Sequence, residues 1–562
     1  MYNQLINRIK GELQPFNDTI ANGVAVEHMM SVNPDTGVNN TMAYIDRLIF
    51  ASSSLFPDGF RYVGSRVCPP HRHFEEITRE YGSKRIANIA KHNVYMAELQ
   101  FAVKERASDG SEILGQDNRP VETMLYPRPI LLPFVTKGGL IHLNGALYNI
   151  SPVITDVGYS VTRGSLFIPF RRAKLTFNKT DQHFWRNGER EIGLVIWSQI
   201  HNEMGNRNKY DLDNRRKIES SLAHYFFCQF GVVDTFKRWA KAEVQIGYRK
   251  DFPEKQYPRR EYAVYESSTL KGVHPAGDIC LVVPIEQDND FVKKLMAGFF
   301  YVMDTFPNRF VKAENIDVPD QWKIILGHMV FGDFEHQGKV AENIDTHMHG
   351  FNNSLDEMTI EDLTASGVYV NTIWELLYEI MTSLSHHFYQ TDIEETTMYN
   401  KRLTVLRYVM DELNHAISLF AYGFSSRRDK AWTVDDLNDV LKRTFKLNTC
   451  TKKLTGEHGE LETVNYAGDN MMFRLTSMMV PQDRAKTTRS HNKSLIGDSS
   501  RLIHVSIAEV GQYRNHPKNN PDGRARANPW MQLSHDGTIQ RREEVRELTD
   551  RTQKRFTRRP SS

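Results

Sequence analysis

A chain of 562 residues, 40% hydrophobic and 25% charged with 30 Phe and 23 Tyr, has the composition of a folded globular protein and not of a disordered or fibrous one. Its length implies roughly three or four domains. The net charge of +2 excludes a uniformly basic molecule but hides an asymmetry: Arg484–Ser562 carries 17 Lys and Arg against 8 Asp and Glu, a surplus of +9, so the preceding chain sums to −7.

A basic end of this kind suits a polyanion, and an acidic body resists non-specific adhesion. The opening Met1–Phe16 stretch has no apolar core of signal-peptide length. No uninterrupted apolar run approaches the roughly 18 residues of a membrane span, so a cytoplasmic location is expected. Four cysteines, Cys68, Cys228, Cys280 and Cys450, are too scattered for a disulfide framework or a zinc module and read as reduced thiols.

In chain order, residues 1–90 form a mixed segment. Val94–Arg106 then alternates apolar and polar residues and runs into Ala107-Ser108-Asp109-Gly110, which predicts a strand entering a hairpin. Short apolar or alternating runs follow at 130–135, 140–143, 147–150, 166–170, 174–178 and 192–197. They are punctuated by Gly138-Gly139, Asn144-Gly145, Arg163-Gly164 and Asn187-Gly188, so 91–212 reads as a β-rich domain with tight hairpins. From about Asp213 the apolar spacing becomes helical, in Arg216–Val244, Asp290–Phe306, Asn371–Tyr389 and Met398–Phe424. Thr433-Val434-Asp435-Asp436 reads as an N-cap opening a further helix to about Lys446. Residues 213–450 are therefore expected to be mainly α-helical, and 451–562 a basic segment that binds nucleic acid or a partner. The fold class predicted is α+β: a β-rich N-terminal part with hairpins, a mainly helical middle and a basic, irregular C-terminal segment.

The chemistry-bearing clusters are modest. Cys68-Pro69-Pro70-His71-Arg72-His73 gathers three potential metal ligands, with Glu75 and Glu76 close behind. No second pair with zinc spacing accompanies them, so a Pro-stiffened loop with surface imidazoles is expected. His347 and His349 follow Asp345, and His386-His387 precedes Asp392, Glu394 and Glu395; polar caps and helix ends account for these better than chelation. The zincin, P-loop, nucleophile-elbow and paired C-x-x-C patterns are absent. An Asp-rich loop holding two magnesium ions for nucleotidyl transfer is not expected on this chain.

The most distinctive run is Pro517-Lys518-Asn519-Asn520-Pro521-Asp522-Gly523-Arg524-Ala525-Arg526. Pro517 and Pro521 restrict φ and Gly523 permits a turn, so Arg524 and Arg526 are expected to project from a stiff loop as a phosphate clamp. Tyr513, His516 or Trp530 would stack on a base beside it. The plainer alternative is a Pro-Asp-Gly turn with solvated arginines.

Three islands resemble the N-terminal half of the β subunit of multisubunit RNA polymerases, as found in split form in some large bacteriophages. Pro133-Phe134-Val135-Thr136-Lys137-Gly138-Gly139 through Asn144-Gly145 resembles that family's P-[LF]-[MV]-T-x-x-G…N-G hairpin. Ile168-Pro169-Phe170-Arg171 is similar to its I-P-Y-R element, and Pro517…Pro521-Asp522-Gly523 to its P-I-E-T-P-E-G loop near the active centre. Here Ala146-Leu147-Tyr148 and Asn519-Asn520 replace the family's polar continuation and Glu-Thr.

The resemblance implies a non-catalytic β-like subunit of a DNA-directed RNA polymerase that lines the DNA and RNA–DNA hybrid channel. It implies no cofactor on this chain, Mg²⁺ on a partner chain, other polymerase subunits as partners and no membrane. The residues expected at nucleic acid are Arg484, Lys486, Arg489, Lys493, Arg514, Lys518, Arg524 and Arg526, with Pro517, Pro521, Asp522 and Gly523 shaping the loop. The alternatives are a virion structural or genome-packaging protein with a DNA-contacting basic tail, and a nucleic-acid-binding replication accessory factor.

Overall fold

The computed structural model describes residues 38–81, 94–104, 120–134, 140–143, 146–150, 153–162, 165–170, 174–200, 218–310, 312–331, 337–352, 354–389, 401–404, 410–425 and 432–450, with short pieces at 461–463, 479–481, 511–512, 524–527 and 538–540 and a few single positions. The fold is α+β, its strands paired antiparallel throughout the described residues. The chain divides into two compact units. The first joins 1–157, 356–358 and 393–562, and the second comprises 158–355 and 359–392.

The first unit is organised around strand Val94–Lys104. It pairs on one side with Phe60–Val67 and on the other with Arg128–Pro133 and then Glu122–Met124. Strand alternation sorts its side chains between two faces. Ala97, Leu99 and Phe101 enter a core with Met42, Ile45 and Ile49 of helix Asn40–Phe50, with Phe420 and Phe424 of helix Asp411–Ser425, and with Leu437 and Leu441 of helix Val434–Thr444. Rings dominate this core: Phe60 stacks on Phe101 with centroids 5.6 Å apart, and Phe101 meets Phe445 at 5.7 Å. On the opposite face Met96 packs with Cys68, Leu131, Leu447 and Ile77, the last from helix Pro70–Tyr81.

Two side-chain caps are present among the described residues of this unit, the one at Thr433 as expected from the sequence. Asn39 Oδ1 accepts from Met42 N at 2.9 Å. Thr433 and Asp436 form a reciprocal capping box at the start of helix Val434–Thr444. The expected hairpin around Asn144-Gly145 is present as Leu140–Leu143 against Ala146–Ile150, with Leu461–Thr463 added alongside.

The second unit is built on an eight-stranded antiparallel sheet. Its main path runs Ile218–Ser221, Glu189–Ile200, Lys174–Arg186, Tyr262–Ser267, Ile279–Pro284 and Gln245–Tyr248, and Ser165–Pro169 and Ser160–Thr162 extend it beside Lys174–Arg186. The long hairpin turns at Asn187-Gly188, where φ is 50° and 85°. Two consecutive positive φ values match the twist of the strands, which is why Asn-Gly occupies the turn. Helix Asp290–Thr305 lies close on this sheet: a Cβ at Gly193 would stand 2.6 Å from Ala297 Cβ and 2.7 Å from a Phe184 ring atom. Trp322 is fully buried among Phe227, Phe299 and Phe310, and its Nε1 donates to Ile316 O at 2.7 Å.

Helices Leu222–Phe230, Asp290–Thr305 and Ile373–Met381 fall within the expected helical runs, and Asp411–Ser425 ends one residue beyond the last of them. The structure adds strands among them, at Ile218–Ser221, Gln245–Tyr248, Tyr262–Ser267, Ile279–Pro284 and Lys401–Thr404. Ile279–Pro284 is a continuous apolar run, where periodicity is silent. It becomes a strand by pairing with Tyr262–Ser267 on one side and Gln245–Tyr248 on the other.

Candidate nucleic-acid interface

Arg524–Ala527 is the middle strand of a three-stranded antiparallel sheet in the first unit, between Met479–Pro481 and Gly511–Gln512. In register, Arg524 stands opposite Pro481, and Arg526 opposite Met479 on one side and Gln512 on the other. The sequence reading placed these arginines in a stiff loop. Arg-Ala-Arg-Ala has a period of two, and the ladder on both sides holds it as a strand, which sets positions 524 and 526 on one face. Arg484, Lys486, Arg489, Lys493, Arg514 and Lys518, and the loop positions Pro517, Pro521, Asp522 and Gly523, lie outside the described residues.

In place of the expected Pro-stiffened loop with surface imidazoles, Pro70 opens helix Pro70–Tyr81, and the charged side chains of the Cys68–Glu76 cluster form an ion-pair network. Glu98 stands directly opposite Arg66 in the sheet, with its side chain only 1% exposed. Arg66 Nε donates to Glu98 Oε2 at 2.7 Å, and Arg72 Nη1 reaches Glu98 Oε1 at 2.9 Å. Arg72 Nη2 lies 3.6 Å from Glu76 Oε1, Arg79 pairs with Glu76 Oε2, and the Tyr126 hydroxyl donates to Glu76 Oε1 at 3.0 Å. The Arg79 guanidinium in turn covers the Tyr126 ring, 4.4 Å from its centroid.

Cys68 is buried, and burial together with the neighbouring Glu98 charge pushes its thiol up to about 11, away from the thiolate a metal would need. His73 Nε2 lies 3.0 Å from the Cys68 carbonyl, which engages this imidazole nitrogen with the backbone just before the helix. Among the described residues no group of three or more His, Cys, Asp and Glu is placed to hold a metal ion. Sequence reasoning missed the network because Glu98, which ties Arg66 to Arg72, is distant from both in the chain. The available signal was Glu98, a charge in the middle of an apolar strand, which is buried only with partners.

The other histidines are absorbed by the second unit. His347 Nε2 lies 3.1 Å from the Tyr225 hydroxyl, and burial lowers its pKa to about 4. His386 Nδ1 contacts Ser383 O at 2.5 Å, and His387 Nε2 lies 3.4 Å from the Tyr159 hydroxyl.

Two Asp-x-Asp triplets do stand in the sequence, at 211–213 and 288–290, contrary to expectation. The first is outside the described residues. In the second, Asp288 is buried, held by Arg186 at 2.6 Å and by the Tyr265 hydroxyl at 2.5 Å. Asn289 caps helix Asp290–Thr305, and Asp290 pairs with Lys294 at 2.6 Å. This triplet does not fit a magnesium pair, since its first carboxylate is already committed to a guanidinium and a phenol.

Fold and site together define an α+β protein of two compact units whose buried charges are organised into ion-pair networks, with an arginine strand in its basic C-terminal part. A family model described as non-virion RNA polymerase subunit matches residues 24–547, and the chain belongs to that family. No curated protein matches it. As an RNA polymerase subunit, it takes part in transcription and has other polymerase subunits as its partners. No described helix is long and apolar enough to cross a membrane.

Proposed function

We propose that this chain is a non-catalytic subunit of a non-virion, DNA-directed RNA polymerase that meets nucleic acid through its basic C-terminal segment. The observation that carries the reading is the family match over 24–547, which includes the Arg524–Ala527 strand. The +9 surplus beyond residue 484 supplies the electrostatic attraction such a contact requires. Mg²⁺ and the transfer chemistry belong to partner chains, and the complex works in a host cytoplasm. The family's description as non-virion favours this role over a virion structural protein, and its description as a polymerase subunit favours it over a replication accessory factor.

The narrower assignment is a counterpart of the N-terminal half of a phage-type split β subunit, lining the DNA and hybrid channel. It rests on the sequence islands. The hairpin Leu140–Ile150 and the strand Ser165–Pro169 support the first two, and Pro517–Gly523 lies outside the described residues.

The test is affinity purification of the tagged chain with its bound partners and an RNA synthesis assay on the recovered complex. Recovery with chains that carry the metal-binding aspartates, together with RNA synthesis, is the expected result. Recovery with none of them overturns the subunit role. Within the complex, Arg524→Ala with Arg526→Ala is expected to reduce the salt dependence of DNA binding by about two phosphate contacts. An unchanged slope removes the C-terminal segment from the interface.

A further inference from the structure

The Arg66, Arg72 and Arg79 row does something the fold does not require. Two carboxylates, Glu98 at 1% and Glu76 at 6% exposure, are buried to hold it. Burying such groups is costly, and well-packed apolar residues in their place would serve stability as well or better. What the burial achieves is geometric: the carboxylates sit beneath, and Arg66 and Arg79 remain 53% and 46% exposed. Solvent therefore meets the Arg66 and Arg79 guanidinium edges and not the two carboxylates that hold them.

A guanidinium carries five N–H donors, and the contacts within the row engage only part of each set. Arg72 and Arg79 are seven residues apart on helix Pro70–Tyr81, two turns or about 10 Å along one edge. Ordinary surface arginines lose side-chain freedom when they bind. These are already fixed, Arg79 additionally by the Tyr126 ring, so that part of the binding cost is met in the fold. Phe74, 63% exposed, is two residues from Arg72 and so lies on a different side of the helix from the arginine edge. Glu75, also exposed, stands three residues after Arg72 and four before Arg79, so it shares their edge of the helix and trims its positive charge.

The geometry points to Arg66, Arg72 and Arg79 as a preorganised phosphate rail, a second nucleic-acid contact separate in sequence from the C-terminal arginines. It rests on the reading that this chain meets nucleic acid in the polymerase.

The test is the salt dependence of binding of labelled single-stranded and duplex DNA of mixed sequence, by the full chain and by the assembled enzyme. Arg66→Gln with Arg79→Gln leaves Arg72 facing both carboxylates, so folding is retained, as a thermal midpoint checks. This double variant is expected to lower the log–log slope by about 1.8 on duplex and about 1.4 on single strands. Arg66→Lys with Arg79→Lys is expected to keep the slope while binding more weakly, because the bidentate fork is lost. Should the Gln pair not fold, Arg79→Gln alone reads half the effect.

An unchanged slope in a folded Gln variant overturns the rail. So does an unchanged slope accompanied by loss of partner subunits, which would assign the row to a protein contact. Arg524→Ala with Arg526→Ala, measured alongside, separates the two ideas. If that variant lowers the slope and the Gln pair does not, the C-terminal contact stands and the rail falls.

Discussion

His224 lies wholly inside the second unit, its Nε2 2.9 Å from the Trp322 carbonyl. A carbonyl only accepts, so Nε2 carries the proton, and Nδ1 is left buried with no hydrogen-bond partner among the described residues. Protonating it would place a charge in an apolar core; burial accordingly lowers its pKa to about 4. His347 is lowered to about 4 by burial as well. Both folded-state values lie below the ordinary imidazole value of 6.5, so the unfolded chain takes up these protons first as pH falls. Stability is complete above about 6.5 and is lost progressively toward 4, by on the order of 3 kcal/mol for each imidazole. Urea unfolding midpoints followed from neutral pH to 4.5 should fall steadily, and His224→Gln, whose amide can still donate to Trp322, should flatten the acid limb. A midpoint independent of pH across that window would show that neither histidine is held neutral by the core.

At the level of single elements, the clearest case is helix Val434–Thr444. Thr433 Oγ1 accepts from Asp436 N at 3.2 Å, and the Asp436 carboxylate accepts from Thr433 N at 3.3 Å. The helix delivers Leu437 and Leu441 to the core, so a frayed first turn loosens more than itself. Thr433→Ala should cost about 1 kcal/mol, read as a lowered thermal midpoint with unchanged helical content. No change would mean the helix is held by packing alone. This cap was legible in Thr-Val-Asp-Asp, as the long hairpin was in Asn187-Gly188, because caps and tight turns are decided by a few adjacent residues. Ile279–Pro284 was not legible, since a continuous apolar run carries no period and becomes a strand only beside Tyr262–Ser267 and Gln245–Tyr248. The candidate interface divides in the same way. Charge asymmetry marked the C-terminal part, but the strand character of Arg524–Ala527 depends on partners far back in the chain. The Arg66–Glu98 end of the arginine row likewise exists only through the register of Phe60–Val67 on Val94–Lys104, whereas the Arg72–Glu76–Arg79 end is local to one helix.

Across the whole molecule, chain order and compactness do not run in parallel. The core of the second unit is drawn entirely from residues between Leu166 and Phe388. The first unit's core needs two distant stretches, Met42 to Leu132 and Met410 to Cys450. A fragment 158–392 should therefore unfold cooperatively on its own, whereas 1–157 should not. The second fragment loses Phe420, Phe424, Leu437, Leu441 and Phe445, each fully buried against the sheet. At about 2 kcal/mol per large apolar side chain, five of them amount to roughly 10 kcal/mol, as much as the net stability of a typical domain. Calorimetric melting of the two fragments decides the matter. A cooperative transition in 1–157 would mean that its sheet closes a core without the returning helices. A featureless melt in 158–392 would mean that the inserted unit depends on the chain around it. If both fragments behave as expected, the first unit can close only after the chain beyond residue 410 has been made. The arginine strand at 524–527 and the arginine row at 66–79 then become parts of one folded unit at the same late stage of synthesis.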